Sequence, residues 1–285
     1  MTERVQPPIA EPRGPGLAPP PGAVDCHAHV FAPEGVLPYA ERRPYTPAAG
    51  VDLAAYTNMH EAIGIDRGVL VHSNIYGPDN RVSVDALVRA WPRLRGICLL
   101  HPDASRGELA RLAGCGMCGL RINLEFPGEM TQADVEAMAA RLAAVGWHLQ
   151  ILAAAPKLAE MADRLARLPI DVVVDHMALM RPEYGLNEPG FVSLLHLLAT
   201  GKVWVKLSAP YFADSGPPWK WAHKVARALI KARPDRMLWG TNWPHPLADP
   251  IPDDGALVDW INLAAGEDAI RRAIFVDNPV KLYGF

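Results

Sequence analysis

Asp25-Cys26-His27-Ala28-His29 follows the apolar Val24, and Trp239-Gly240-Thr241-Asn242-Trp243-Pro244-His245-Pro246 stands near the far end of the chain. Side chains alternate along a strand with period two, so two histidines one residue apart at a strand end share a face. Imidazoles gathered in this way can hold a metal ion or polarise a carbonyl oxygen. The second segment, an aromatic and glycine strand end opening into Pro-His-Pro, reads as the last strand of a barrel emptying into its active-site mouth.

Eight apolar, β-branched segments can position these residues: 24–30, 68–73, 96–101, 119–124, 148–153, 171–177, 202–208 and 237–243. Between them run stretches with helical spacing of Ala and Leu, among them 134–145, 157–168, 191–200 and 219–232. Eight strands alternating with helices in about 260 residues close most economically into a (β/α)8 barrel, an α/β TIM barrel. An open doubly wound sheet is the alternative. The barrel is expected over 23–285. Residues 1–22 carry seven prolines, at 7, 8, 12, 15, 19, 20 and 21. Such a segment neither nucleates a helix nor pairs in a sheet, so an extended arm without a catalytic role is expected, lying on the barrel or free of it.

A chain of 285 residues that is 50% hydrophobic can bury a large core, and a net charge of -3 without a Lys/Arg cluster gives no electrostatic case for nucleic acid or an anionic membrane. No apolar run approaches a transmembrane helix and no signal segment opens the chain, so the cytoplasm is the expected compartment. A small-molecule ligand is the favoured partner, and a homo-oligomer is allowed. Polar residues collect where a barrel keeps its chemistry, at the C-terminal ends of the strands. These are His27 and His29, then His72, Ser73 and Asn74, His101, Arg121 and Asn123, Asp175 and His176, Lys206 and Ser208, and Asn242 followed by His245.

His-x-His on the first strand, Val-Asp-His-Met at 174–177, the Trp-Gly-Thr-Asn-Trp-Pro-His-Pro segment and the closing Asn278-Pro279 run resemble the amidohydrolase superfamily. The combination looks most like the branch of 2-pyrone-4,6-dicarboxylate lactonase and related sugar-acid lactonases, and D-galactarolactone isomerase belongs to that branch. Its closing motif normally carries Asp where this chain has Asn242. In metal-dependent members the first-strand histidines, a later histidine and that aspartate are ligands, and binuclear members add a carboxylated lysine at a central strand end. Here the central strands end Arg-Ile-Asn-Leu and Gln-Ile-Leu-Ala, and Lys206 lies too late. The lactonase branch works without metal, so no cofactor is expected. A weakly held divalent ion such as zinc, on His27, His29 and His176, is the alternative.

Without a metal, the resemblance makes His27, His29 and His176 carbonyl-polarising donors for acyl transfer. The aspartate of the lactonases activates water; Asn242 has no useful basicity and can only orient a group by hydrogen bonds. A site with donors and no base favours a nucleophile already held beside the carbonyl, such as a ring hydroxyl, whose effective molarity can reach on the order of 10⁵ M. Lactone isomerisation, 1,5- to 1,4-, is therefore the first expectation, hydrolysis with Asn242 in place of the general base the second, and a non-catalytic sugar-acid binder the third. Arg121 is expected to grip a substrate carboxylate. Tyr45, His72, Ser73, Asn74, Asn123, Lys206, Tyr211 and His245 are candidates for hydrogen bonds to a polyhydroxylated ligand. A flat dicarboxylate fits poorly, because Phe126-Pro127 and Tyr211-Phe212 stand where the dicarboxylate lactonase has further arginines. The Trp219-Lys220-Trp221 segment either caps the mouth or packs on the following helix.

Gly114-Cys115-Gly116-Met117-Cys118-Gly119 spells both G-x-G-x-x-G and C-x-x-C, but it leaves a helix and enters a strand, the reverse of the dinucleotide fingerprint. No G-x-S-x-G elbow marks a serine hydrolase. The four cysteines are expected to be free thiols.

Overall fold

The β-branched and apolar segments form eight short parallel strands, as expected from their composition. The computed structural model describes residues 3–126 and 130–285, so Pro127 of the loop after the fourth strand lies outside the described residues. The strands are β1 (Val24–Ala28), β2 (Arg67–Val71), β3 (Leu94–Cys98), β4 (Met117–Asn123), β5 (His148–Leu152), β6 (Val172–Val174), β7 (Val203–Ser208) and β8 (Met237–Gly240). Helices α1 (Leu53–Ile63), α2 (Arg81–Arg89), α3 (Arg106–Gly114), α4 (Val135–Ala143), α5 (Ala155–Ala166), α6 (Pro189–Ala199), α7 (Lys220–Ala232) and α8 (Asp254–Ala265) follow the strands in turn. Short α9 (Asp268–Arg272) and α10 (Asn278–Tyr283) close the chain. The sheet order β1 to β8 is sequential, so each strand lies beside its neighbour in the chain, which makes the fold a TIM barrel.

The two motifs of the sequence meet where the first and last strands do. The His29 amide donates to the Trp243 carbonyl (2.8 Å) and the Asn242 amide to the His27 carbonyl (2.7 Å), so β1 and β8 are joined by their C-terminal extensions. Asp25 stitches the same seam from the side covered by α1. Its carboxylate accepts from the Thr241 amide (2.9 Å) and hydroxyl (2.6 Å), from the His27 amide (3.1 Å) and from Tyr56 Oη (3.2 Å). Gly240 is required there: a Cβ would stand 2.6 Å from the His27 amide nitrogen.

Period two along the strands divides the core in two. Val24, Cys26, Val69, Val71, Ile97, Val173, Trp204 and Leu238 fill one cluster inside the barrel, and the intervening residues pack outward under the helices. Residues 3–22 lie on the barrel as an arm. Their backbone is held by Asp253 and Asp259, and the Asn262 amide and the Arg271 guanidinium donate to the Leu17 and Ala18 carbonyls. Trp219 is buried, and Trp221 Nε1 donates to the Met180 carbonyl (3.0 Å), so this segment fastens α7 to the loop after β6 rather than capping the mouth.

Candidate active site

Strands β1, β6 and β8 stop earlier than their sequences suggest, at Ala28, Val174 and Gly240, and the polar residues beyond them turn over the mouth. After β6 the backbone makes a left-handed turn in which His176, Met177, Ala178 and Leu179 have φ of 50°, 54°, 55° and 48°. Asn242 (φ 60°) and His245 (φ 61°) do the same after β8. These turns surround a cavity of about 340 Å³. Of the expected site residues, His29, His176, Asn242, Arg121, Tyr45, Ser73, Asn74 and Asn123 line it. Arg121, Asn74 and Asn123 also border an adjoining cavity of about 320 Å³.

Four expected ligand contacts are not made at this cavity. His72 is buried, with Nδ1 on Ser83 Oγ (2.8 Å), because its ring turns outward to α2. Lys206 is fully buried one residue pair below the strand end, facing the barrel interior as Trp204 does. Tyr211 and His245 stand behind Asn242. The Asn242 Nδ2 donates to Tyr211 Oη (2.8 Å), Tyr211 Oη lies 3.4 Å from His245 Nδ1, and His245 Nε2 lies 3.1 Å from an Asp254 carboxylate oxygen at the start of α8. The chain of contacts turns the amide oxygen of Asn242 away from Tyr211.

The three histidines of the expected oxyanion site do come together, with the ring centroid of His27 5.1 Å from that of His29 and 4.5 Å from that of His176. Their roles divide. His29 Nδ1 lies 2.6 Å from the Val71 carbonyl, which only accepts, so Nδ1 carries the proton and Nε2 presents a lone pair. Burial, reinforced by the Arg121 charge, pushes its pKa down to about 4, so the ring is neutral near pH 7 and accepts rather than donates. Its free nitrogen in this arrangement is an acceptor, where the resemblance implied a donor. His176 is pushed down to about 3 by burial, and Ser208 Oγ, 2.8 Å from its Nδ1, can donate there and leave the proton on Nε2. His27 lies behind both rings with Nε2 shut off from solvent.

Asp175, directly before His176, has no part in the sequence expectation beyond marking a strand end, and it organises the floor. Its carboxylate accepts from Arg121 Nε (2.9 Å) and Gln150 Nε2 (3.0 Å), with His27 Nδ1 at 3.3 Å and Lys206 Nζ at 3.6 Å. Burial opposes its charge, but His27, Lys206 and Arg121 outweigh that and hold the carboxyl well below its usual range. With its Nε so anchored, Arg121 lines the cavity. Arg181, after the β6 turn, adds a second guanidinium at the outer rim. Its signal in the sequence was an arginine five residues past His176. Glu125 also lines the cavity, tied to the Ala154 amide (2.9 Å) and Lys157 Nζ (3.2 Å).

The ligand atoms of His27, Asp175 and His176 lie within 4.8 Å of one another, a spacing that suits a metal ion. Asp175 stands in this group where the sequence suggested His29. The charges do not suit one. Lys206 Nζ lies 3.4 Å from His27 Nδ1 and 3.6 Å from Asp175 Oδ1, and Arg121 takes the other carboxylate oxygen. Two cations already neutralise the one carboxylate, so the set does not fit a divalent ion.

A family model described as amidohydrolase matches residues 24–285. A 4-sulfomuconolactone hydrolase of Rhizobium radiobacter is 37% identical over 272 residues, 93% of this chain and 91% of the relative. A 2-pyrone-4,6-dicarboxylate hydrolase of Comamonas testosteroni is 36% identical over 287 residues, 96% of this chain and 94% of the relative. A D-galactarolactone isomerase of Agrobacterium fabrum is 26% identical over 276 residues, 94% of this chain and 93% of the relative. The chain belongs to the amidohydrolase family.

Proposed function

We propose that this enzyme hydrolyses a lactone that carries a carboxylate or similar anionic group, without a metal. The observation that carries the reading is the His29 tautomer: Nδ1–H is spent on the Val71 carbonyl, so a neutral Nε2 faces the cavity beside Arg121. Arg121 grips the anionic group. The His176 Nε2–H stabilises the negative charge that develops on the carbonyl oxygen as the ring opens. Water attacks that carbonyl while His29 Nε2 takes its proton, and the resulting imidazolium returns a proton to the leaving alkoxide. The Asn242 amide oxygen accepts the water's other hydrogen and aims it. A base near 4 matches an ordinary aspartate, so His29 replaces the carboxylate that Asn242 lacks. The two relatives at 36 and 37% identity, both named as lactone or pyrone hydrolases, support the same order of preference.

Isomerisation is the second reading, favoured by Asn242 itself. If a ring hydroxyl of the substrate takes the place of water, the same three groups move the acyl carbon from one oxygen to another, which is the chemistry named for the relative at 26% identity. Incubating a panel of anionic lactones in H2¹⁸O separates the two. Hydrolysis yields an acid carrying one ¹⁸O; isomerisation yields an unlabelled lactone; an absence of any product across the panel rejects both. For the hydrolase, His29→Gln lowers turnover roughly 100- to 10,000-fold. The free base exists above its pKa, so turnover is level through neutral pH and falls only as pH drops through about 4. A profile already falling near pH 7 removes His29 from the role.

A further inference from the structure

Lys206 is a charged side chain with no solvent exposure, set above the apolar cluster of Val, Ile, Leu, Cys and Trp that fills the barrel interior. A buried ammonium is costly unless its hydrogens are satisfied and its charge is paired. Its three neighbours are Gln150 Oε1 at 2.7 Å, His27 Nδ1 at 3.4 Å and Asp175 Oδ1 at 3.6 Å. The last two belong to the group spaced for a metal ion. His27 Nδ1 in turn lies 3.3 Å from Asp175 Oδ1, so lysine, imidazole and carboxylate close a triangle.

We propose that the Lys206 ammonium stands in for the divalent cation of a metal-dependent barrel: it takes the cation's partners, His27 and Asp175, and its charge keeps metals out. Three properties follow from the one residue. The carboxylate of Asp175 stays ionised in the core with Arg121 on its other oxygen, which fixes the guanidinium that grips the substrate. His27 Nδ1 is held between Lys206 Nζ at 3.4 Å and Asp175 Oδ1 at 3.3 Å, which orients the ring as a bound cation would. The region carries two positive charges and one negative before any ligand enters, so a dication meets net repulsion at short range and low dielectric. Placed in the seventh strand, the lysine is out of reach of the bridging role that a carboxylated lysine plays on a central strand, and it is not carboxylated while it pairs with Asp175.

The inference rests on the metal-free reading above, and its test needs no substrate, so it can fail while the lactone assay succeeds, and the reverse. Cobalt(II) is titrated into metal-stripped wild-type protein and into Lys206→Met, which keeps the length of the side chain and removes the charge, with visible d–d absorption and calorimetry as readouts. Wild type is expected to take up no stoichiometric cobalt. Lys206→Met is expected to bind one equivalent per chain at least about 100-fold more tightly, the consequence of removing one like charge at close range. Lys206→Arg, which restores the charge, is expected to return to the wild-type result, and His176→Ala in the Lys206→Met background to lose the ion. Should Lys206→Met not fold, the wild-type titration still decides, because one tightly held cobalt in wild type overturns the proposal. Equal affinities in wild type and Lys206→Met, or no uptake by a folded Lys206→Met, overturn it as well.

Discussion

The two ends of the barrel solve the same problem of chain reversal with different residues. At the end where helices run into strands, the left-handed positions fall on glycine: Gly64 before β2, Gly116 before β4, Gly146 before β5 and Gly201 before β7. At the mouth glycine also serves, at Gly35, Gly50, Gly77 and Gly185, but only here, beyond β6, β7 and β8, do left-handed positions also fall on residues with side chains: His176 to Leu179, Ala209, Trp219, Asn242, His245 and Leu247. Glycine adopts this conformation at no steric cost, whereas each other residue gives up roughly 1–2 kcal/mol, Asn less than most. A turn whose only task is to reverse the chain can use glycine. A turn that must also aim an imidazole or an amide cannot, and burial of His176, Met177, Ala178 and the Trp221 contact to Met180 offsets its strain. The strained backbone thus marks the part of the rim that turns His176 and Asn242 toward the cavity.

The sharpest way to break this comparison is His176→Gly. Relaxing the backbone while deleting the ring should cut turnover roughly 100- to 1000-fold, the usual cost of one oxyanion donor, without lowering the melting temperature by more than the loss of the buried ring explains. If activity and stability fall together in proportion, the turn is a folding device and the distinction between the two ends is lost. A smaller effect is expected from Asn242→Asp, because Asp tolerates the left-handed conformation nearly as well as Asn. A carboxylate there supplies a second base 2.8 Å from Tyr211 Oη, which can reverse its hydrogen bond to donate to it. Hydrolysis should rise about tenfold, and His29→Gln should cost less in that background than in wild type. Unchanged rates and unchanged dependence on His29 would remove Asn242 from the site.

What could be read from the sequence follows the same division. The eight strands were legible because β-branched runs bounded by Gly and polar residues have few other structures open to them, and the His-x-His and Trp-Gly-Thr-Asn segments were legible because they end such runs. The turn after β6 was not. Asp175-His176-Met177-Ala178-Leu179 contains no glycine or asparagine to announce positive φ, so it reads as strand running on to Met177, three residues past the end of β6. Lys206 was placed correctly on its strand and wrongly at the mouth, because alternation tells which face a residue takes and not how deep in the barrel it lies. His245 was read as a ligand contact since its partner, Asp254, comes from the next helix, a pairing that no local pattern encodes. The donor or acceptor character of His29 was equally out of reach, depending on the Val71 carbonyl 42 residues away.

The smallest effect tests the other end of the barrel. Gly146, between α4 and β5, has φ of 69° and open space where a Cβ would stand, so Gly146→Ala changes only the backbone preference. The left-handed conformation costs alanine about 1–2 kcal/mol, and the stiffer unfolded chain returns about 0.4–1 kcal/mol. A net loss near 1 kcal/mol lowers the melting temperature of a domain this size by about 2 °C. The catalytic side chains are carried by other segments, so kcat and KM on any lactone turned over by wild type should stay within twofold. A calorimetric scan and a saturation curve on the same preparation check both halves. Altered kinetics with an unchanged melting temperature would mean that the glycine turns also set the geometry of the mouth, and that the division of labour between the two ends does not hold.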